Sequence, residues 1–466
     1  MQIPILKGIY SDESPNYRTS YPRNLIPVPE SQGISKGFLR PADGIVEFGS
    51  GPGVDRGGVN WNETLYRVMG TKLGRVDSLG EFTEVGDVGG TNQVTMLYSF
   101  DYLAIASNNN LFLYDGTTLT QVTDEDLGTV LDVIWIDGYF MTTDGEFLIV
   151  TELGNPFAVN PLKYGSSEAD PDPVVGLEKI KNEVYALNRY TIEVFDNIGG
   201  SGFPFQRLEG AQMSRGALGA NSSSVFMEAL AFLGSGRNET PAVWLGRNST
   251  TLKISTREID LILSEYSETQ LSTVLVETKV DKNHHFLYLH LPDQTLAYDG
   301  TASKIAGDHV WFTLTSSIVE KKTYQAKNFI WCYDKWICGD PLSYRLGYLT
   351  DSISSHYGDT IGWDFGTTII YNDSKGAIFH DIELISLSGR VALGENPTVW
   401  TKYSTDGETW SIEKPVSAKL QGERNKRLVW FQQGHMERQR IQRFRGTSDT
   451  HISIARLEAN LEPLNV

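Results

Sequence analysis

The sequence predicts an all-β protein, a β-propeller of six or seven blades followed by a C-terminal β-sandwich. Three observations predict it. A unit of two short strands bounded by turns recurs along most of the chain. The 466 residues include 45 Gly, 51 aromatic residues and six Asp-Gly dipeptides, a composition that favours short strands joined by tight turns. Beyond about residue 350 the recurrence gives way to six strand candidates of different spacing, at 377–386, 398–404, 410–413, 427–432, 438–444 and 451–457.

The clearest unit runs from Asn283 to Gly300, N-H-H-F-L-Y-L-H-L-P-D-Q-T-L-A-Y-D-G. Alternation sends Leu287, Leu289 and Leu291 to one face and Phe286, Tyr288 and His290 to the other, so both faces need cover. Pro292-Asp293-Gln294 turns the chain, and Asp299-Gly300 is expected to supply the positive φ angles of a second hairpin turn. The unit recurs at 101–116 and 182–197, with weaker copies at 62–77, 138–152, 242–255 and 328–351. The first four end at residues 77, 115, 152 and 196, and a period of roughly 40–45 residues marks propeller blades. The expected organisation is an extended arm over 1–45, a propeller over 46–350 and a sandwich-like domain over 351–466.

In the arm, Pro22, Pro27 and Pro29 forbid a helix and weaken any central strand. It is expected to wrap across a surface or dock on a neighbour, with Tyr17, Arg18, Tyr21 and Arg23 as candidate contacts. A Gly-rich insertion, Asn197 to Phe205, carries Phe203 and Phe205, which are costly to leave in water and form a second candidate contact. One helix is predicted at 256–271. Ser255 or Thr256 caps it, Glu258 stands in capping-box position from Ser255, and Ile259, Ile262, Leu263 and Tyr266 form its apolar stripe.

The formal charge is −18, from 40 basic and 58 acidic residues. Such a surface repels DNA, which argues against a sequence-reading nucleic-acid binder. It suits a self-repelling soluble protein, or a lining past which DNA slides. The one basic concentration is C-terminal, where Arg424, Arg427, Arg438, Arg440, Arg443 and Arg445 stand with Lys426 against Glu437 alone. On a strand Arg438, Arg440 and Phe444 share a face, giving a basic row for contact between copies or with an acidic partner. A solvated strand face is the plain alternative.

No catalytic, cofactor-binding or metal-binding residue is expected. Nucleophile elbow, phosphate-binding glycine loop and carboxylate dyad are missing from the sequence. Cys332 and Cys338 have no nearby histidine for a zinc site; a hairpin could pair them, and buried reduced thiols suit a reducing cytoplasm. His284 and His290 share a strand face but lie about 20 Å apart, too far to chelate one ion. Glu168, Asp170 and Asp172 lack the glycine and distal glutamate of a calcium loop. Ser404 to Trp410 is one residue short of the Asp-box turn of sialidases and stands alone. Apolar runs fall short of the roughly 18 residues of a membrane span, and residues 1–10 lack a basic n-region, so neither membrane insertion nor secretion is expected.

Several motifs, in order, carry a family resemblance: N-x-x-P-V-P-E from Asn24, G-F-L-R-P-A-D-G-I from Gly37, L-Y-R-V-M-G-T-K-L from Leu65 and E-V-G-D-V-G-G from Glu84. H-L-P-D-Q-T-L-A-Y-D-G from His290, W-F-T-L-T from Trp311, S-I-S-S-H-Y-G from Ser352 and T-D-G-E-T-W from Thr405 continue it. The chain resembles the packaged-DNA stabilisation proteins, also called tail hub or nozzle proteins, of short-tailed Salmonella-type phages. Asp43 departs from the family pattern, which has proline before that glycine. The resemblance implies a structural virion protein rather than an enzyme, a homo-oligomer forming a hexameric ring below the portal and its adaptor, assembled in the host cytoplasm. It further implies retention of packaged DNA, passage of double-stranded DNA without sequence-specific binding, and docking of the tail needle and tailspikes. The alternative is a carbohydrate-binding or glycoside-cleaving receptor-binding propeller, with carboxylates meeting in its central pocket.

Overall fold

The computed structural model describes residues 1–11, 18–30, 36–373, 375–387, 396–418, 420–423 and 425–464. Seven antiparallel sheets of four or five strands form a ring. In chain order they span 55–87, 95–121, 132–166, 174–207, 216–253, 275–314 and 327–350. The first strand of each contacts the first strand region of the next, and Lys327–Cys332 of blade 7 meets Asp55–Trp61 of blade 1, so the ring closes. Blade 7 takes its outermost strand from earlier in the chain: Gly44–Ser50 pairs along Arg345–Thr350.

The alternation seen in the sequence explains why the blades stand side by side. Each is apolar on both faces, so cores form between blades rather than around the axis. Leu287, Leu289 and Leu291 of blade 6 pack with Ala231, Leu233 and Val243 of blade 5. The opposite face, Phe286 and Tyr288, packs with Ala326, Phe329 and Cys338 of blade 7. The last of seven such cores joins Leu65, Met69 and Val76 of blade 1 to Cys332, Ile337 and Leu346 of blade 7.

Tight turns join the strands, though Asp-Gly is not the usual filler. Asn62-Glu63, Asn108-Asn109, Lys282-Asn283 and Tyr333-Asp334 each hold two successive residues at positive φ, the geometry that matches strand twist in two-residue hairpins. Asp299-Gly300 is no hairpin turn. The Asp299 carboxylate accepts from the Ala302 N–H at 2.9 Å and caps a helix, Gly300–Ala306, that leads to the fourth strand of blade 6. The helix predicted at 256–271 is two, Arg257–Leu263 and Glu268–Leu271. Thr256 caps the first, and the capping box is Ser267 with Gln270 rather than Ser255 with Glu258. Ser267 bonds the backbone ahead of it and so restarts the helix instead of continuing it.

The second domain is a sandwich around one core. One sheet runs in the order Leu25–Pro29, Gly37–Pro41, Ser453–Pro463, Ala377–Leu387, Leu428–Phe431, with Gln2–Ile3 also on Ser453–Pro463. The other runs Gly362–Gly366, Gln439–Thr447, Thr398–Ser404, Lys414–Ser417. Ile3, Ile5, Leu25 and Leu39 share the core of Phe365, Phe379, Trp430 and Phe444. Three stretches of the expected arm over 1–45, at 2–3, 25–29 and 37–41, are therefore sandwich strands. Pro27 and Pro29 are tolerated because their strand is the sheet's edge, where a missing N–H costs no ladder bond.

Candidate functional site

Residues 22–24 lie between the two domains and bond to both. On the propeller side, the Pro22 carbonyl accepts from Thr313 N at 2.9 Å and Asn24 N donates to the Thr313 carbonyl at 2.8 Å. Thr313 is on Trp311–Leu314, the outermost strand of blade 6. On the sandwich side, Arg23 N donates to the Asp364 carbonyl at 2.9 Å, and Asp364 N returns the bond at 3.2 Å. Three residues thus carry the blade 6 sheet into the smaller sheet of the sandwich.

Side chains fix this staple. Asn24 takes φ 54°, a left-handed conformation that Asn tolerates better than most residues. Its Nδ2 donates to the carbonyls of Thr315 at 3.0 Å and Gly362 at 2.7 Å, and its Oδ1 accepts from Thr315 N at 2.9 Å. The Arg23 Nε donates to Asp364 Oδ2 at 3.1 Å, and its Nη2 to the Ile318 carbonyl at 3.0 Å. Asp364 also accepts from Arg443 Nη2 at 3.0 Å, so one buried carboxylate serves two guanidiniums. Tyr21, half-buried, bonds through its hydroxyl to Thr256, and burial pushes its phenol well above the usual range.

The candidate contacts read from sequence are placed as follows. Tyr17 and Arg424 lie outside the described residues. Arg18 is in strand Arg18–Ser20, paired with Ile9–Ser11. Tyr21 and Arg23 turn inward to the staple. Phe205 is buried between blades 3 and 4, and Phe203 packs over Gly165 so closely that a Cβ there would sit 2.2 Å from its ring. The Gly-rich loop exposes Ile198 instead.

The expected basic row does not form. Strand Gln439–Thr447 turns Arg440, Gln442 and Phe444 into the molecule and Arg443 and Arg445 to the other face. Arg440 is fully buried, its guanidinium carbon 3.8 Å from the centre of the Tyr403 ring and 4.4 Å from that of Phe379. It donates to Gln442 Oε1 at 2.9 Å and the Gln433 carbonyl at 2.6 Å, and burial lowers its pKa to about 10. A planar cation fits between two rings where an ammonium would not. Arg427 meets Glu383 at 2.8 Å and Arg445 meets Glu413 at 2.9 Å. Arg438 is exposed, with no ion pair among the described residues. The neutralising acids come from other strands, so sequence spacing gave no sign of them.

Carboxylates near the propeller axis act as clasps between first strands. Asp132 of blade 3 accepts from Thr95 Oγ1 of blade 2 at 2.7 Å and from Leu177 N of blade 4 at 2.8 Å. Its burial pushes the carboxyl up to about 6. Glu277 of blade 6 accepts from the N–H groups of Asn328 and Phe329 in blade 7 at 2.9 and 2.7 Å. Among the described residues no three His, Cys, Asp or Glu are grouped to hold a metal. Cys332 and Cys338 are buried and unpaired. Asp406 accepts from Ser404 Oγ and from the N–H groups of Glu408 and Thr409, which closes a turn.

Fold and side-chain placement define a two-domain β-propeller and β-sandwich protein whose distinctive polar residues tie strands and domains together. The chain belongs to the bacteriophage P22 Gp10 family, whose β-propeller model matches residues 1–354 and whose β-sandwich model matches 362–462. It is 26% identical over 460 residues to the tail hub protein gp10 of Salmonella phage P22, covering 94% of each chain. This kinship makes it a structural hub protein of a phage tail. Among solved structures it is similar to the N-terminal domain of Nup159, with TM-score 0.42, 8% identity, and coverage of 69% of this chain and 98% of that one. The Neurospora crassa Pan2 WD40 domain gives TM-score 0.40 and 11% identity, covering 66% and 95% of the two chains. Neither likeness bears on the assignment.

Proposed function

We propose that the protein forms the nozzle ring of a short phage tail, a hexamer below the portal and its adaptor that holds packaged DNA and passes it at ejection. The observation that carries this reading is the similarity to a tail hub protein along 94% of both chains. The staple supports it, because a ring that resists DNA pressure needs its two domains to move as one. Charge supports it too: six copies at −18 each carry a formal −108, which suits a tube that must not bind the duplex it passes. The tail needle and tailspikes dock on this ring, assembly takes place in the host cytoplasm, and the chain works as a structural part rather than an enzyme.

Particles assembled without this chain are expected to lose their genome or expose it to nuclease, and adding the purified protein should restore protection. Full, nuclease-resistant heads that merely fail to adsorb would sink the nozzle reading and favour a receptor-binding propeller.

A further inference from the structure

One end of the propeller carries an apolar strip that the fold leaves uncovered. In each blade the turns from first to second strand and from third to fourth strand lie at the same end. At that end of blades 2, 3 and 4 stand Phe100, Leu153 and Ile198, with relative exposures of 90%, 62% and 64%. Side-chain contacts join their loops into one surface. Tyr102 of blade 2 meets Phe157 of blade 3 edge-on at 5.7 Å between ring centres. Leu153 covers Gly138, where a Cβ would lie 3.9 Å from its side chain. Asn197 Nδ2 of blade 4 donates to Asp137 Oδ2 of blade 3 at 2.9 Å.

The charge on this strip is net acidic: its lysines, Lys163 and Lys181, already meet Glu152 and Glu228. Asp101, Asp137 and Asp196 border the three apolar side chains, and none has an ion-pair partner among the described residues. Nucleic acid and anionic lipid would meet carboxylates here, and both are disfavoured. A second copy, itself at a formal −18, is a poor match for an acidic face as well. Apolar side chains within an unpaired acidic border fit a partner carrying apolar residues among lysines or arginines.

We infer that this end of blades 2–4 docks a basic, apolar-bearing segment of a different protein of the tail, an inference that rests on the tail reading above. The test places photoreactive p-benzoylphenylalanine at position 100 of the full chain, supplied during infection by a phage lacking the gene, and irradiates the purified particles. The expected product joins position 100 to a peptide of another virion protein with net positive charge. The variant Asp101→Lys is expected to lower that product about tenfold with the thermal midpoint unchanged. A cross-link to a second copy, to an acidic peptide, or no product beyond that from the exposed control position Leu252 would overturn the inference, as would indifference to the charge reversal. Particles that exclude even the wild-type chain would instead sink the tail reading, and this inference with it.

Discussion

Arg440 and Arg438 stand two residues apart and differ in everything but charge. Arg440 fills a buried slot between Tyr403 and Phe379, and its removal would leave Gln442 Oε1 and the Gln433 carbonyl short of donors inside the sandwich. Arg440→Ala is expected to cost about 3 kcal/mol in urea unfolding, whereas Arg438→Ala should stay within about 0.5 kcal/mol. Equal effects would refute the inward placement. Asp132 offers a test by pH. Its folded pKa of about 6 lies above the ordinary 3.8, so the folded chain holds that proton more tightly than the unfolded one. The resulting stabilisation is complete below about pH 3.8 and is lost as pH rises through about 6, amounting to about 3 kcal/mol. Asp132→Asn does not titrate, so it should gain on the wild type by about that amount between about pH 3.5 and 7.5. Parallel stability curves for the two proteins would show that Asp132 titrates normally.

At the scale of elements, the staple is the feature on which most else depends. Asp364 accepts from Arg23 of the N-terminal segment and from Arg443 of the sandwich, and both cations are packed around it. Asp364→Ala leaves two guanidiniums without their carboxylate, and because Arg443 is partly solvated the expected cost is the low end for a broken buried pair, about 3 kcal/mol. The loss should appear as a lower thermal midpoint and new proteolytic cleavage between the domains, near residues 351–361. A midpoint within a degree of wild type would mean that backbone bonds alone hold the joint. The paired strands at 103–114, 183–197 and 284–298 were legible in the sequence because both their faces alternate apolar residues, which is what a blade between two neighbours requires. The staple was not, since Pro22, Arg23 and Asn24 look like any proline-marked linker until Thr313 and Asp364 arrive from about 300 residues away. Asp299-Gly300 misled for a local reason. The same dipeptide that starts a hairpin also caps a helix, and the residues that follow, 301–306, decide between them.

For the whole molecule, the topology makes the two domains interdependent. The N-terminal fifty residues supply strands at Gln2–Ile3, Leu25–Pro29 and Gly37–Pro41 to the sandwich, and then Gly44–Ser50 to the last blade. The sandwich is complete only when both ends of the chain are present, and blade 7 only when residues 44–50 have returned to 345–350, so closure requires contacts over about 300 residues and more and folding should be slow. The same arrangement predicts one cooperative unfolding transition for propeller and sandwich together, where independent domains would give two. Fragment 351–466 alone lacks Ile3, Ile5, Leu25 and Leu39 from its core and should not fold. Its rescue by a separately expressed peptide spanning residues 1–43 would be the stronger result, because it would show that the missing strands, and not the propeller, are what the sandwich needs. A fragment 351–466 that melts cooperatively by itself, or a wild-type chain with two calorimetric peaks, would contradict this account, and the rigidity proposed for a ring that bears DNA pressure would lose its structural basis.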